Sequence, residues 1–401
     1  MKILSLSNKM PYPPKDGGTI GIYNVVDSLA NVGNEIHVLA INTPKHFVKE
    51  SEIPDEVRNK LHLQYVFINT NLNIAGLLKN LFTSKLPYIA SRFYHKKFET
   101  RLIEILRQES FDVVQLEGLY MATYIETIRK HSNALISLRA HNIEHEIWNR
   151  TSESEGNILK KWYIKHMVRR ILYLKKRVIN NYDLLVPVTN RDAEVYNKLG
   201  NNRPIKVIAA GFDTSKINID KRQLKRASLF HLGALDWLPN QEGLLWFINQ
   251  CLPIIRENKP DIYFNIAGRN APKWLEKKFE KEGIVYHGEV ASSADFMNAH
   301  AVMVVPLLSG SGMRIKIIEG MAYGKVIATT PVGTEGIPST HRENILIADN
   351  EFSFAKEIEK VLNDATLFET ISENAHKFVN ENYNRDIIAQ MQTEFYTKHC
   401  Q

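Results

Sequence analysis

The chain has 401 residues, 44% apolar and 24% charged. That length exceeds one hydrophobic core, and the composition excludes collagen-like, disordered and coiled-coil classes. The net charge of +7 is uneven, with +9 in residues 1–203 and −2 in the remainder, so the first half admits nucleic acid, anionic lipid or an anionic substrate as partner.

In chain order the pattern is strand, turn, helix, repeated. Lys2–Leu6 reads as a short buried strand, followed by the turn-rich segment PYPPKDGG. Ile20–Val32 has helical spacing and Gly33 is placed to end it. Further strands are expected at 36–41, 63–68, 113–116, 134–137 and 184–188. Helices are expected around 90–109, 119–131, 145–180 and 190–198. A second cycle begins near Ile205, with strands at 206–208, 228–232, 263–267, 285–287, 302–306 and 326–329. Its helices fall at 240–257, 271–281, 292–299, 313–323 and 352–364. Apolar strands alternating with helices predict parallel sheets covered on both faces. The architecture expected is α/β, with two doubly wound domains across a cleft and ligands outside the carboxyl ends of the strands.

The two cysteines, Cys251 and Cys400, form neither a disulfide framework nor a zinc spacing, as suits a reducing cytoplasm. The opening MKILSLSNKMPYPP lacks the long apolar run of a signal peptide. No segment approaches the roughly 18 apolar residues of a membrane span. The expectation is a soluble cytoplasmic protein, with peripheral attachment to the inner face of a membrane left open.

Residues 302–337 carry the most chemistry. A buried strand leads into the loop Ser309-Gly310-Ser311-Gly312, where small residues let backbone approach a ligand. A helix then starts near Met313, with its free amides and positive dipole end facing the same space. Arg314 and Lys316 add two cations there, and a diphosphate fits that arrangement. Glu319 beside such a site is costly unless it accepts hydroxyl hydrogens, as from a ribose. Taken locally, a Gly turn followed by an amphipathic helix with solvated charges explains the same residues.

This stretch resembles the donor-binding region of the retaining glycosyltransferases of family 4. There a Gly-rich loop leads into a helix of the form K-L-L-E-A-M-A-x-G-x-P-V, matched here by residues 316–326, KIIEGMAYGKV. FHLGALDWLPNQEGLLWF (230–247) is similar to the opening strand, Gly turn and helix of that family's C-terminal domain. YFNIAGRN (263–270) resembles its next strand-to-loop unit and VYHGEV (285–290) the loop whose main chain contacts the base. KVIAAGFDTSKI (206–217) resembles the interdomain segment. Several motifs in the correct order weigh more than any one.

The resemblance implies a GT-B architecture of two Rossmann-like domains facing across a cleft. Residues 1–203, rejoined by a C-terminal helix at about 385–401, would form the acceptor side, and 204–384 the nucleotide-sugar donor domain. It implies donor contacts at Gly18, Gly233, Arg269, Val290, Ser311, Gly312, Met313 and Glu319, with Glu319 on the ribose. Arg314 and Lys316 would stabilise the departing nucleotide in place of a divalent metal, and no Asp-x-Asp metal motif or other cofactor site is present. His141 would lie near the reacting sugar with Asn142 beside it. Gly17 and Glu117 complete the acceptor side, the two glycines in a loop that closes over the reacting groups. Retention of configuration follows from the resemblance only. The chain departs from the family at Ser311, where the first glutamate of a Glu-x7-Glu pattern is expected. Leu235–Gln241 also lacks the usual Arg and Lys.

Residues 158–179 hold eight Lys/Arg and no acid. A basic amphipathic helix suits an anionic membrane, although packing on the sheet is the commoner fate of a helix within a domain. Packing is expected here, with the basic face free for lipid or a polyanionic acceptor. The function expected is sugar transfer from a UDP- or GDP-linked donor to a hydroxyl of a glycan or lipid-linked glycan. That would serve polysaccharide or glycoconjugate biosynthesis. The rivals are a nucleotide-sugar epimerase, a non-catalytic nucleotide-sugar-binding partner and, last, a nucleic-acid-binding protein, for which no recognition helix or aromatic stacking motif is visible.

Overall fold

The computed structural model describes residues 1–15, 17–209, 211–214, 217–220, 224–310 and 313–400. The chain divides into two compact units, Met1–Gly211 with Arg385–Gln401, and Phe212–Asn384. It has the GT-B fold, with a parallel six-stranded sheet in each unit.

In the first unit the strands are β1 (Lys2–Ser7), β2 (Glu35–Asn42), β3 (Leu63–Phe67), β4 (Val113–Glu117), β5 (Leu135–Ala140) and β6 (Leu184–Pro187). They are ordered β3-β2-β1-β4-β5-β6. Its helices are α1 (Gly17–Asn31), α2 (Asp55–Lys60), α3 (Ile74–Thr83), α4 (Tyr88–Ser91), α5 (Lys96–Gln108), α6 (Ile125–His131), α7 (Glu144–Ser154), α8 (Ile158–Val178) and α9 (Asn190–Lys198). One sheet face is apolar throughout, with Leu4, Leu6, Val114, Leu116, Ile136 and Leu138 in a single buried cluster. The other face begins apolar at Ile3 and Val113. It turns polar toward the carboxyl ends, at Ser5, Ser7, Gln115, Glu117, Ser137 and Arg139, all fully or nearly fully buried. Side chains alternate along a strand, so this change of chemistry lies on one face only.

The second unit has β7 (Lys225–Leu232), β8 (Tyr263–Ala267), β9 (Val285–Tyr286), β10 (His300–Val305), β11 (Val326–Thr329) and β12 (Leu346–Ile347). Their order is β12-β11-β10-β7-β8-β9. Around them lie α10 (Leu238–Trp246), α11 (Leu252–Asn258), α12 (Lys273–Lys281), α13 (Ser293–Ala299), α14 (Ile315–Ala322), α15 (Glu351–Asn363) and α16 (Ala365–Asn382). In each sheet the order reverses between the unit's first and fourth strands. The loops following β1 and β4, and those following β7 and β10, therefore flank topological switch points, where α/β sheets bind ligands.

A last helix, α17 (Arg385–Cys400), belongs to the first unit. It closes over the polar band. Gln392 Nε2 donates to Gln115 Oε1 at 2.7 Å, and the Tyr396 hydroxyl meets Gln115 Oε1 at 2.8 Å and Ser137 Oγ at 2.9 Å. Arg385 pairs with Asp27 of α1 at 3.1 Å.

Several boundaries differ from the sequence reading. Residues 206–208 do not start the second sheet. Lys206 and Ile208 donate backbone hydrogen bonds to Leu185 and Pro187 of β6, at 3.1 and 2.9 Å, and cover the edge of the first sheet. The division accordingly falls after Gly211 and not after residue 203. The single helix expected over 145–180 is two, because Asn157 caps a new start by accepting from the amides of Leu159 and Lys160. Gly17 and Gly18 stand in the first turn of α1 and not in the loop ahead of it. The helix expected from Met313 begins at Ile315, with Arg314 as its N-cap.

Candidate functional site

Two groups of buried polar side chains sit at the switch points. In the second unit, Gly233 follows β7. A Cβ placed there would lie 3.1 Å from Lys316 Nζ, 3.2 Å from Asn240 Nδ2 and 3.4 Å from His231 Nε2. Lys316 lies in the first turn of α14 and donates to Asn240 Oδ1 at 2.7 Å. Asn240, in the first turn of α10, is oriented by its own amide, which donates to the Ala234 carbonyl at 2.7 Å. Among the described residues no carboxylate lies within ion-pair distance of Lys316. Burial, with the neighbouring Arg314 charge, pushes its ammonium down to about 7.

His231 is fully buried on β7. Its Nδ1 lies 2.8 Å from the Val304 carbonyl, which can only accept, so Nδ1 carries the hydrogen and Nε2 the lone pair. Burial and Lys316 hold the ring well below its ordinary value, hence neutral. Among the described residues Nε2 has no hydrogen-bond partner. Arg314 is also buried, its guanidinium 5.9 Å from the Trp237 ring centroid. Gly310, at φ +118, lies against it, and a Cβ there would come within 2.9 Å of Arg314 Nη2. Ser309 donates to Glu242 at 2.7 Å and so ties this loop to α10. Glu319, one turn into α14, accepts from Ser293 Oγ at 3.3 Å. Burial pushes its carboxyl up, and the Ser293 hydroxyl partly offsets this.

In the first unit the centre is Glu117, the last residue of β4, with a fully buried side chain. His141 Nε2 lies 2.6 Å from Glu117 Oε2, and Arg139 Nη1 lies 3.6 Å from the same oxygen. Ser5 Oγ donates to Oε1 at 3.4 Å, and Gln115 Nε2 donates to it as well. Burial opposes the charge on Glu117. His141, Arg139 and Gln115 together outweigh it and hold the carboxyl below the usual carboxylate range. With Nε2 committed to Glu117, the imidazole has Nδ1 to offer a ligand.

The structure brings Gly233, Arg314 and Lys316 together at the second switch point, with Met313 half-buried beside Arg314 and Glu319 further along α14. Ser311 and Gly312 lie outside the described residues. Arg269 serves this region through its backbone, its carbonyl accepting from Leu235 N at 2.9 Å. Val290 is half-buried in the loop after β9. At the first switch point Glu117 and His141 meet, and half-buried Asn142 follows. Arg139, beyond the strand expected at 134–137, is within β5 and fully buried. Sequence reasoning missed His231, Asn240 and Ser293. A usable signal for Asn240 was a polar amide directly after Pro239, in a helix start lacking the expected cations.

Among the described residues, Glu35, His37 and His62 bring potential metal-ligand atoms within 4.8 Å of one another. They lie at the amino ends of β2 and β3, away from the switch points. Lys2 already pairs there with Glu35 at 2.8 Å and Glu109 at 2.6 Å.

Residues 226–364 match the family model described as Glycosyl transferases group 1. A Klebsiella pneumoniae protein, described as an uncharacterized 44.6 kDa protein in the cps region, is 24% identical over 396 residues, 96% of each chain. Anabaena Alr3699/HepE, solved with UDP-glucose, superposes with a TM-score of 0.68 at 14% identity, covering 99% of this chain and 100% of its own. The sucrose-phosphate synthase of Thermosynechococcus elongatus gives 0.70 at 15% identity, covering 99% of each. At such identities the likeness of structure speaks for the GT-B fold. The family match adds a glycosyl transferases group 1 domain within the second unit.

Proposed function

We propose that the chain is a glycosyltransferase that moves a sugar from a nucleoside diphosphate sugar to an acceptor hydroxyl on a glycan or lipid-linked glycan. The observation that carries this reading is the pair Arg314 and Lys316 at the start of α14, beside Gly233 at a switch point. Departure of the nucleotide leaves charge on the diphosphate, and two desolvated cations with the free amides of a helix start stabilise it. They perform the task of a divalent metal, so metal is not required. Glu319 accepts from ribose hydroxyls. The UDP and UDP-glucose complexes of the Anabaena neighbour support UDP as the nucleotide, with GDP the next to test.

In the first unit His141 Nδ1 accepts from a hydroxyl of the reacting sugar, and Glu117 fixes the ring. Gly17 and Asn142 line the acceptor side, and Gly18 contacts the donor. The resemblance of the donor region to family 4 supports retention, through a front-face step with a short-lived oxocarbenium-like species.

Calorimetric titration with UDP, GDP and ADP in EDTA tests the donor site, and the matching donor sugars are then assayed for transfer. Binding of one nucleotide without metal, lost in Arg314→Ala, is expected. Failure of all three to bind sinks the diphosphate site. Conversion of the donor sugar without acceptor means an epimerase, and binding without turnover a non-catalytic partner. NMR of the product anomer tests retention; an inverted product makes His141 Nδ1 the base that takes the acceptor proton.

A further inference from the structure

An unexplained feature of the described surface is apolar and lies in the first unit. Phe82 and Ile158 are each 82% exposed and Leu159 is 79% exposed. They belong to two helices joined by one side chain. Arg170 of α8 donates to the Asn80 carbonyl at 3.1 Å and to the Leu81 carbonyl at 2.6 Å, which holds the last turn of α3 against α8.

Each helix has an exposed apolar face. On α3, Ile74, Leu78 and Phe82 recur every four residues, and all three are exposed. They therefore form one stripe. Asn80 is the one described residue of this helix that is buried. On α8, Met167, Val168, Ile171, Leu174 and Val178 are buried, as expected for packing. The stripe Ile158, Trp162, Lys165, Arg169, Tyr173 and Lys176 faces solvent. The exposed part of α8 thus mixes apolar and aromatic groups in its first turns with cations further along.

Within the two helices the charge is of one sign, although Glu153 and Glu155 stand just ahead of α8. Residues 57–98 and 158–179 contain no Asp or Glu. Lys79, Lys85, Lys160, Lys165 and Arg169 are exposed among the apolar groups. A protein partner would meet a basic surface with long, flexible side chains, which interface cores disfavour. Large exposed apolar side chains interspersed in sequence with Lys and Arg match a bilayer bearing acidic headgroups, into which the apolar groups insert while the cations remain among phosphates.

We propose that α3 and the exposed face of α8 dock this protein on an anionic membrane surface, inserting Ile74, Leu78, Phe82, Ile158, Leu159 and Trp162 at the level of the headgroups. This stands apart from the transferase reading. It adds to that reading a lipid-linked acceptor, presented where the first unit is held.

The test is sedimentation of the full chain with vesicles of phosphatidylcholine and phosphatidylglycerol at about 7:3, against phosphatidylcholine alone. Two variants accompany it, F82S/I158S/W162S and K160E/K165E/R169E. All six positions are solvent-facing, and circular dichroism checks the fold. The protein is expected to sediment with the anionic vesicles, not the neutral ones, and to be released by high salt. Each variant should weaken binding at least about tenfold. Brominated lipid should quench part of the tryptophan emission in the wild type but not in Trp162→Phe. The proposal is overturned by no sedimentation at low salt, or by binding that neither variant weakens. It is equally overturned if the serine variant abolishes self-association of a protein that ignores vesicles, since the patch would then cover a second copy.

Discussion

Lys316 offers the sharpest test of the donor site, because its position makes nucleotide binding a proton-linked event. Burial and Arg314 push its ammonium down to about 7 from an ordinary 10.5. At pH 8 only about one molecule in ten carries the charge before a ligand arrives. A diphosphate that draws the cation must therefore bring about 0.9 proton with it at pH 8, and much less at pH 6. Affinity should fall by up to about tenfold per pH unit above 7. Calorimetry with UDP at pH 8, in buffers of different ionisation enthalpy, reads this number directly. Lys316→Arg keeps a permanent charge and should bind without proton uptake. Lys316→Met should lose the charged hydrogen bond, about 1.5–3 kcal/mol, or roughly 10- to 150-fold in affinity. Stability moves the other way. The unfolded chain binds more protons than the folded one between pH 7 and 10.5, so this group's contribution rises with pH across that window and disappears in the Met variant. A buffer-independent heat for the wild type at pH 8, or equal proton uptake in Lys316→Arg, would refute the reasoning.

Glu117→Gln should strip the charge from a carboxyl that faces the fully buried Arg139, and cost about 3–5 kcal/mol in urea unfolding. His141→Ala leaves that pair intact and should cost only about 1 kcal/mol while abolishing sugar transfer; equal costs for the two would refute the buried-pair account. Gly310→Ala adds a Cβ at φ +118 and 2.9 Å from Arg314 Nη2. Strain of about 1–3 kcal/mol should displace Arg314 and weaken UDP binding about tenfold, with the far-UV circular dichroism unchanged. Tyr396→Phe removes the hydroxyl that meets Gln115 and Ser137. A loss of about 1–3 kcal/mol in the urea unfolding of the first unit is expected.

The alternation of apolar strands with amphipathic helices made the α/β class legible, since strands buried on both faces read as short apolar runs. What escaped were features set by partners far along the chain. Residues 206–208 have the pattern of a strand in either sheet, and only the open edge of β6 decides between them. Strand β12 is two residues long and carries no periodicity. Helix α3 was unread because its apolar stripe faces solvent and not a core, which breaks the assumption behind the pattern. At the candidate site Arg314 and Lys316 were legible as cations after a Gly loop. The lowered pKa of Lys316 was not, because it depends first on desolvation, which only the packed fold sets, and then on the Arg314 charge. The end of β5 escaped for a related reason. The strand expected at 134–137 runs on to Ala140, and strand alternation turns Arg139 into the polar band against Glu117.

The overall charge of each half of the chain says little about the local charges of its site, and this bears on the chemistry proposed for the two sites. Residues 1–203 carry +9, yet the centre of their switch point is a buried carboxylate bound to an imidazole. The rest of the chain carries −2, yet its switch point holds Arg314 and Lys316. Desolvation explains why the local charges decide. A group removed from water interacts strongly with a ligand beside it, whereas surface charges are screened within about 8 Å at physiological salt. A diphosphate needs cations, and a sugar hydroxyl needs acceptors. The buried groups of the second site thus suit the proposed diphosphate, and those of the first the proposed sugar hydroxyl. The basic surplus of the first unit is then largely surface charge, with eight Lys and Arg on α8, and the membrane docking proposed above would draw on it.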